Sequence, residues 1–176
     1  MKRKSSPRKR SVNVPLFIVE GHTEENYIKL LKKLYSKSVE VKNCYGGGAN
    51  SVLLQSDKLL SDKDEASYYT SFVIMYDADT DNPKYNALRN KVEKTKDVKM
   101  LILDPCFENW FLVHVSNNKV KGTMNCDKCI SALKKIIPNY EKDDYKLLEK
   151  YVNKDNFIQA CNKQPLIGTT LKEYFL

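Results

Sequence analysis

Acidic side chains follow two strand-like stretches at the point where each stretch ends. Glu20 comes directly after the apolar run 16–19, and Asp77 and Asp79 come directly after the run 72–76. In a parallel sheet both ends meet at one edge, where the sites of open α/β folds lie. Carboxylates gathered there repel one another unless a cation lies among them, and Mg²⁺ prefers carboxylate and phosphate oxygens. The sequence therefore predicts a site for Mg²⁺, or for Mn²⁺, that acts on phosphate.

Two further glutamates are candidate ligands of the same cation. Glu24 follows Glu20 by four residues with Gly21 between them, and Glu108 lies one turn into a helix predicted after the fourth strand. A carboxylate in the first turn of a helix is also favoured by the helix dipole alone, so this alternative stays open for both residues. Asp81 continues the spacing of the acids, but a polar turn before Asn82 explains it equally well.

Three consecutive glycines, Gly46, Gly47 and Gly48, precede the helix predicted over 52–60. Their backbone N–H groups could hold a phosphate at the helix N-terminus. No Lys-Ser or Lys-Thr pair follows them, which excludes a Walker motif. A plain turn explains the glycines at least as well as a phosphate cradle.

The composition predicts a basic tail over 1–13 and a single domain over 14–176. The chain has 176 residues, of which 41% are hydrophobic, enough for one core. No apolar run approaches the roughly 20 residues of a membrane helix, and no signal core follows the basic N-terminus, so we expect a cytoplasmic protein without a membrane partner. The tail is expected to be disordered and to contact nucleic acid, or else only to aid solubility. Its basic residues are Lys2, Arg3, Lys4, Arg8, Lys9 and Arg10.

The five cysteines do not indicate a disulfide framework, because their number is odd and no secretory signal is present. Cys126 and Cys129 have the spacing of half a zinc site. A closed structural zinc site needs four ligands, and no second pair with that spacing exists. Two ordinary thiols at the start of a helix are therefore the favoured interpretation.

Short apolar strands alternate with helical segments along most of the chain. Strands are predicted over 16–20, 39–41, 72–76 and 100–103. A first helix is predicted to start near Thr23, and further helices are predicted over 52–60, 85–95, 104–114, 128–137, 144–152 and 156–161. Such alternation is typical of βαβ units with right-handed crossovers. We therefore predict an α/β fold with a mainly parallel four-stranded sheet flanked by helices, followed by a helical C-terminal portion.

Three motifs resemble those of the RloB family of bacterial defence-associated proteins. They are Phe-Ile-Val-Glu-Gly-His-Thr-Glu-Glu-Asn-Tyr over 17–27, Tyr-Asp-Ala-Asp over 76–79, and Asp-Pro-Cys-Phe-Glu-Asn-Trp-Phe-Leu-Val-His over 104–114. The third resembles the family signature Asn-Pro-Cys-Phe-Glu-x-Trp-Leu-Leu-x-His and is the most specific. It departs from the signature at Asp104, where the family usually has Asn. The resemblance extends from about Val14 to Tyr151.

The resemblance implies a variant of the Toprim fold, the metal-binding domain of topoisomerases, primases and certain nucleases. It implies that Glu20 is the catalytic glutamate, that Asp77 and Asp79 are catalytic metal ligands, and that Glu24 is a further ligand, as in the nuclease branch. The function it implies is a Mg²⁺-dependent nuclease of anti-phage defence, with an ATPase as a possible partner. The alternatives are a non-catalytic module that binds nucleic acid or regulates an ATPase through a vestigial metal site, and nucleotidyl transfer as in primases.

Overall fold

A computed structural model describes residues 13–116 and 125–176, so the predicted basic tail lies almost wholly outside the described residues. The sheet has four parallel strands in the order β2-β1-β3-β4. The strands are β1 (Val14–Val19), β2 (Glu40–Asn43), β3 (Tyr69–Asp77) and β4 (Val98–Leu103). The parallel four-stranded sheet expected from the sequence is confirmed.

Helices cover both faces of the sheet and form most of the C-terminal part. They are α1 (His22–Tyr35), α2 (Gly48–Ser61), α3 (Lys63–Ala66), α4 (Asn86–Glu93), α5 (Phe107–Val115), α6 (Cys126–Ile136), α7 (Tyr145–Tyr151), α8 (Lys154–Lys163) and α9 (Pro165–Phe175). Short 3₁₀ turns occupy Ala78–Thr80 and Pro83–Tyr85. None of the helices within the described ranges combines the length and the apolar character that crossing a membrane requires.

The strands are apolar on both faces because each face packs against its own layer of helices. Phe17 and Val73 belong to a large core cluster that includes residues of α1, α5 and the C-terminal helices. Ile18 and Ile74 belong to a smaller cluster with residues of α2 and α4. Since side chains alternate along a strand, the continuous apolar runs of β1 and β3 supply both layers.

The structure differs from the sequence-based expectation at the start of α5. The helix was expected to begin at Asp104-Pro105, but it begins at Phe107 with Cys106 as its N-cap, and the Asp104–Pro105 peptide bond is cis. The backbone N–H of Phe107 donates to the Asp77 carboxylate, so the first turn of α5 is directed at the end of β3. Helix α9, which starts with Pro165, was not among the predicted elements.

The expectation of ordinary thiols is wrong for Cys126, which forms a disulfide with Cys106. Cys106 precedes α5 and Cys126 opens α6. The packing of these two helices brings the Cα atoms to 5.9 Å, within the usual range for a disulfide. Cys129 is a free, buried thiol, as expected.

A buried histidine links α1, α5 and α8. His114 Nε2 lies 3.0 Å from the Tyr27 hydroxyl, and its Nδ1 lies 3.4 Å from the Asn156 side-chain oxygen. The edges of Tyr27 and Trp110 pack against its ring. Burial lowers the pKa of His114 to about 4, so the folded protein holds this imidazole neutral.

The neutral His114 predicts a loss of stability in mild acid. Its pKa rises to the ordinary 6.5 on unfolding, so its contribution is full above about pH 6.5 and is lost as the pH falls toward 4. Between pH 7 and pH 5 the wild type should lose about 2 kcal/mol more than His114→Gln in denaturant unfolding. Equal slopes for wild type and His114→Gln would contradict the assignment.

Candidate metal site

The five acidic residues predicted as ligands all lie at the carboxyl edge of the sheet. Glu20 directly follows β1, and Asp77 is the last residue of the neighbouring strand β3. Asp79 lies in the 3₁₀ turn after β3, while Glu24 and Glu108 lie in the first turns of α1 and α5. The parallel order of the strands therefore brings all five to the same edge. Asp81 instead pairs with Arg89.

Glu20 connects the ends of β1 and β3. Its Oε2 accepts a hydrogen bond from the Asp77 backbone N–H at 3.2 Å and another from the Thr80 hydroxyl at 3.1 Å. Burial raises the pKa of Glu20, and these two hydrogen bonds oppose the rise. The bonds fix the orientation of the carboxylate without using its second oxygen.

Asp77 is the most strongly perturbed acid of the group. Its side chain is buried, and its Oδ1 accepts the Phe107 backbone N–H at 2.9 Å. Burial, followed by the charges of Glu24, Glu20 and Glu108, raises its pKa to about 9. The negative charge at this position is therefore disfavoured in the protein alone, and a bound cation would reverse that preference.

Glu24 lies in the first turn of α1 and is also buried beside the other acids. Its Oε2 accepts the backbone N–H of Gly21, the N-cap of α1, at 3.0 Å. Burial, with the charges of Glu20 and Glu108, raises the pKa of Glu24 to about 7. A residue that served only as a solvated helix cap would not be buried among other acids, so Glu24 stays a candidate ligand.

Glu108 is held by partners that the sequence did not identify. The side chain is 1% exposed, and its Oε1 accepts from the Tyr140 hydroxyl at 3.2 Å and pairs with Lys142 Nζ at 3.0 Å. Its charge acts on Asp77 and Glu24, so it belongs to the same acidic group. Asp79, by contrast, is exposed, and its backbone N–H donates to the Pro105 carbonyl.

The three glycines lie against the same edge. All have positive φ angles, 84° for Gly46, 87° for Gly47 and 70° for Gly48, a conformation that favours glycine. The Gly46 N–H donates to the Glu20 carbonyl at 2.8 Å, and the Ala49 N–H donates to the Thr80 hydroxyl at 2.9 Å. The turn therefore requires its glycines, and it places the N-terminus of α2 beside Glu20.

The donor set fits a hard divalent cation, although the carboxylate oxygens are spaced more widely than a bound ion would hold them. Carboxylates are the protein ligands that Mg²⁺ and Mn²⁺ prefer. Among the described residues, only Cys106, Glu108 and Cys126 form a group of three potential ligand atoms within 4.8 Å of one another.

A family model described as RloB-like protein matches residues 16–167. The matched range includes all five acidic residues and the three glycines. No curated protein and no solved structure matches the chain significantly.

Replacing Asp77 by Asn should separate stability from metal binding. The change removes a buried carboxylate but keeps an oxygen that can accept the Phe107 N–H. We expect metal-free Asp77→Asn to be more stable than wild type by about 1 kcal/mol or more. In thermal melts the wild type should gain stability with millimolar Mg²⁺ and the variant should not.

The matched control is Asp64→Asn, since Asp64 lies on α3, at the opposite end of β3. It should retain the full Mg²⁺-dependent gain. A wild type that gains no stability with Mg²⁺, or an Asp77→Asn variant that gains as much, would count against the site.

Alanine substitutions in the glycine turn should differ in a defined order. Gly46→Ala meets no heavy atom within 4 Å, so it carries only the cost of the left-handed backbone, about 1–2 kcal/mol. In Gly48→Ala the new Cβ would also lie 3.1 Å from the Thr80 Cβ and displace the residue that donates to Glu20. Denaturant unfolding should therefore show a larger loss for Gly48→Ala, and equal losses would contradict this contact.

Proposed function

We propose that this chain, which belongs to the RloB-like family, is a divalent-metal-dependent nuclease that hydrolyses phosphodiester bonds. The observation that carries the proposal is the convergence of buried acids on Asp77, whose pKa is raised to about 9. Perturbed acids at the carboxyl edge of an α/β sheet are typical of functional sites. Nucleic acid, either DNA or RNA, is the proposed substrate.

The ligands in this proposal are Glu20, Glu24, Asp77 and Asp79, with Mg²⁺ or Mn²⁺ as the cation. Backbone N–H groups orient three of these carboxylates. The Asp77 N–H donates to Glu20, and the Gly21 N–H donates to Glu24. The Phe107 N–H donates to the Asp77 carboxylate. Such supporting hydrogen bonds fix ligand orientation in metal sites. Glu108 is a fifth candidate, but Lys142 and Tyr140 already engage one of its oxygens.

In this proposal the reaction draws on three contributions, from the cation, from Glu20 and from Lys142. A bound divalent cation would stabilise charge on the scissile phosphate and lower the pKa of an attacking water. Glu20 is placed to orient that water or to accept its proton, since one of its oxygens is fixed by Asp77 and Thr80. Lys142, whose side chain is about half exposed, provides a positive charge that a phosphate can approach.

The glycine turn is the proposed contact for a neighbouring phosphate of the nucleic acid. It lies beside Glu20 and opens α2, a helix of 14 residues whose N-cap, Gly47, has no side chain, and whose Ala49 N–H donates to the Thr80 hydroxyl. Backbone N–H groups at such an N-terminus favour anions. The basic residues of the tail would add salt-sensitive affinity for the same strand.

The proposal also includes a role in anti-phage defence and an ATPase partner. Only the family resemblance supports these two parts. The alternative, a non-catalytic module that binds nucleic acid or regulates an ATPase, predicts metal binding without cleavage.

The test is metal-dependent cleavage by the purified full-length chain. Labelled single- and double-stranded DNA and RNA are incubated with Mg²⁺ or Mn²⁺, and with a chelator as the blank. We expect cleavage with metal, and a loss of at least about 100-fold in rate for Glu20→Gln. Glu40→Gln is the matched control. Glu40 is the first residue of β2, at the amino end of the strands and away from the acids, and it accepts a hydrogen bond from the Tyr69 hydroxyl.

Cleavage that survives the chelator, or an unchanged rate in Glu20→Gln, would contradict the nuclease mechanism. Mg²⁺ binding and nucleic-acid binding without any cleavage of the four substrates would instead support the non-catalytic module.

A further inference from the structure

Three cysteines gather where α5 and α6 begin. Cys106 is the N-cap of α5, Cys126 is the first residue of α6, and Cys129 follows one turn later on α6. Potential ligand atoms of Cys106, Cys126 and Glu108 all lie within 4.8 Å of one another. Residues three apart on a helix share one side, so Cys129 lies on the same side of α6 as Cys126.

The Glu108 side chain independently indicates that this cluster could bind a cation. The side chain is 1% exposed, and its Oε2 accepts no hydrogen bond from any described residue. A buried carboxylate oxygen without a partner is costly, and a cation is one way to satisfy it.

We propose that Cys106, Glu108 and Cys126 bind Zn²⁺ in the reduced protein, with Cys129 as the fourth ligand. Thiolates select Zn²⁺ over Mg²⁺, and three sulfurs with one carboxylate oxygen suit its tetrahedral geometry. Zn–S bonds are about 2.3 Å long, so two sulfurs of one site lie about 3.8 Å apart. Two cysteines close enough to form a disulfide need only a small movement to reach that spacing.

The disulfide and the proposed zinc site exclude each other, because both use the sulfurs of Cys106 and Cys126. Reduction with a phosphine converts the disulfide and one water into two thiols and a phosphine oxide. Zinc binding then displaces the thiol protons, because only thiolates bind the metal. This site shares only Glu108 with the acids at the carboxyl edge of the sheet, and it does not depend on nuclease activity.

Zinc at this position would fasten the starts of α5 and α6. The residue after Cys106 is Phe107, whose N–H holds the Asp77 carboxylate. The zinc site would therefore set the position of the helix end that orients Asp77, and it would act as a structural support for that residue.

The test is a Zn²⁺ titration of the full-length chain after phosphine reduction and chelator treatment. Millimolar Mg²⁺ is present throughout to occupy the acids at the carboxyl edge of the sheet, so that zinc bound there is not counted. We expect one zinc per chain by elemental analysis, and a sulfur-to-metal charge-transfer band when Co²⁺ replaces it. Cys126→Ala should weaken binding by more than about 100-fold and remove the band. Because Cys126 is only partly buried, this variant should fold.

Cys44→Ala is the matched control, since Cys44 is a buried free thiol of the other core cluster. It should retain one zinc and the cobalt band. A reduced wild type that binds no zinc at micromolar concentration would overturn the proposal, as would equal affinities of Cys126→Ala and Cys44→Ala. Wild-type affinity in Cys129→Ala would overturn the assignment of the fourth ligand.

Discussion

The candidate metal site depends on one interaction, the burial of the Asp77 carboxylate among other acids. Burial and the charges of Glu24, Glu20 and Glu108 together raise its pKa to about 9. A structure meets such a cost only where other contacts fix the position. Here the Phe107 N–H holds the carboxylate, and the Asp77 N–H in turn holds Glu20. A cation at this edge would offset the neighbouring negative charges that help to raise the pKa of Asp77.

The fold supplies this arrangement through the adjacency of β1 and β3. The two strands are parallel neighbours, so their carboxyl ends lie side by side. The first turns of α1 and α5 lie next to these ends. The same edge receives the glycine turn before α2, which bonds to the Glu20 carbonyl. With zinc in the proposed thiol site, the start of α5 would be held from both sides, by Asp77 and by the metal.

The part of this site that could be predicted from the sequence is the part encoded locally. Apolar runs that end in acid predicted the strands and their shared edge, and a three-residue motif sufficed to place Asp77 and Asp79. Lys142 and Tyr140 were missed because they come from a polar segment after α6, and no periodicity links that segment to Glu108. The Cys106–Cys126 pair was missed for a related reason: it depends on how α5 and α6 pack, and cysteine spacing does not report that.

The central claim, that the carboxylate edge binds a divalent cation, is tested most directly by crystals soaked in Mn²⁺ and measured for anomalous scattering. The account predicts an anomalous peak in contact with the carboxylates of Glu20 and Asp77, with Glu24 or Asp79 completing the protein ligands. Bond lengths should be near those of oxygen ligands, about 2.1–2.2 Å. The absence of a peak at this edge, or a peak found only at Cys106 and Cys126, would contradict it.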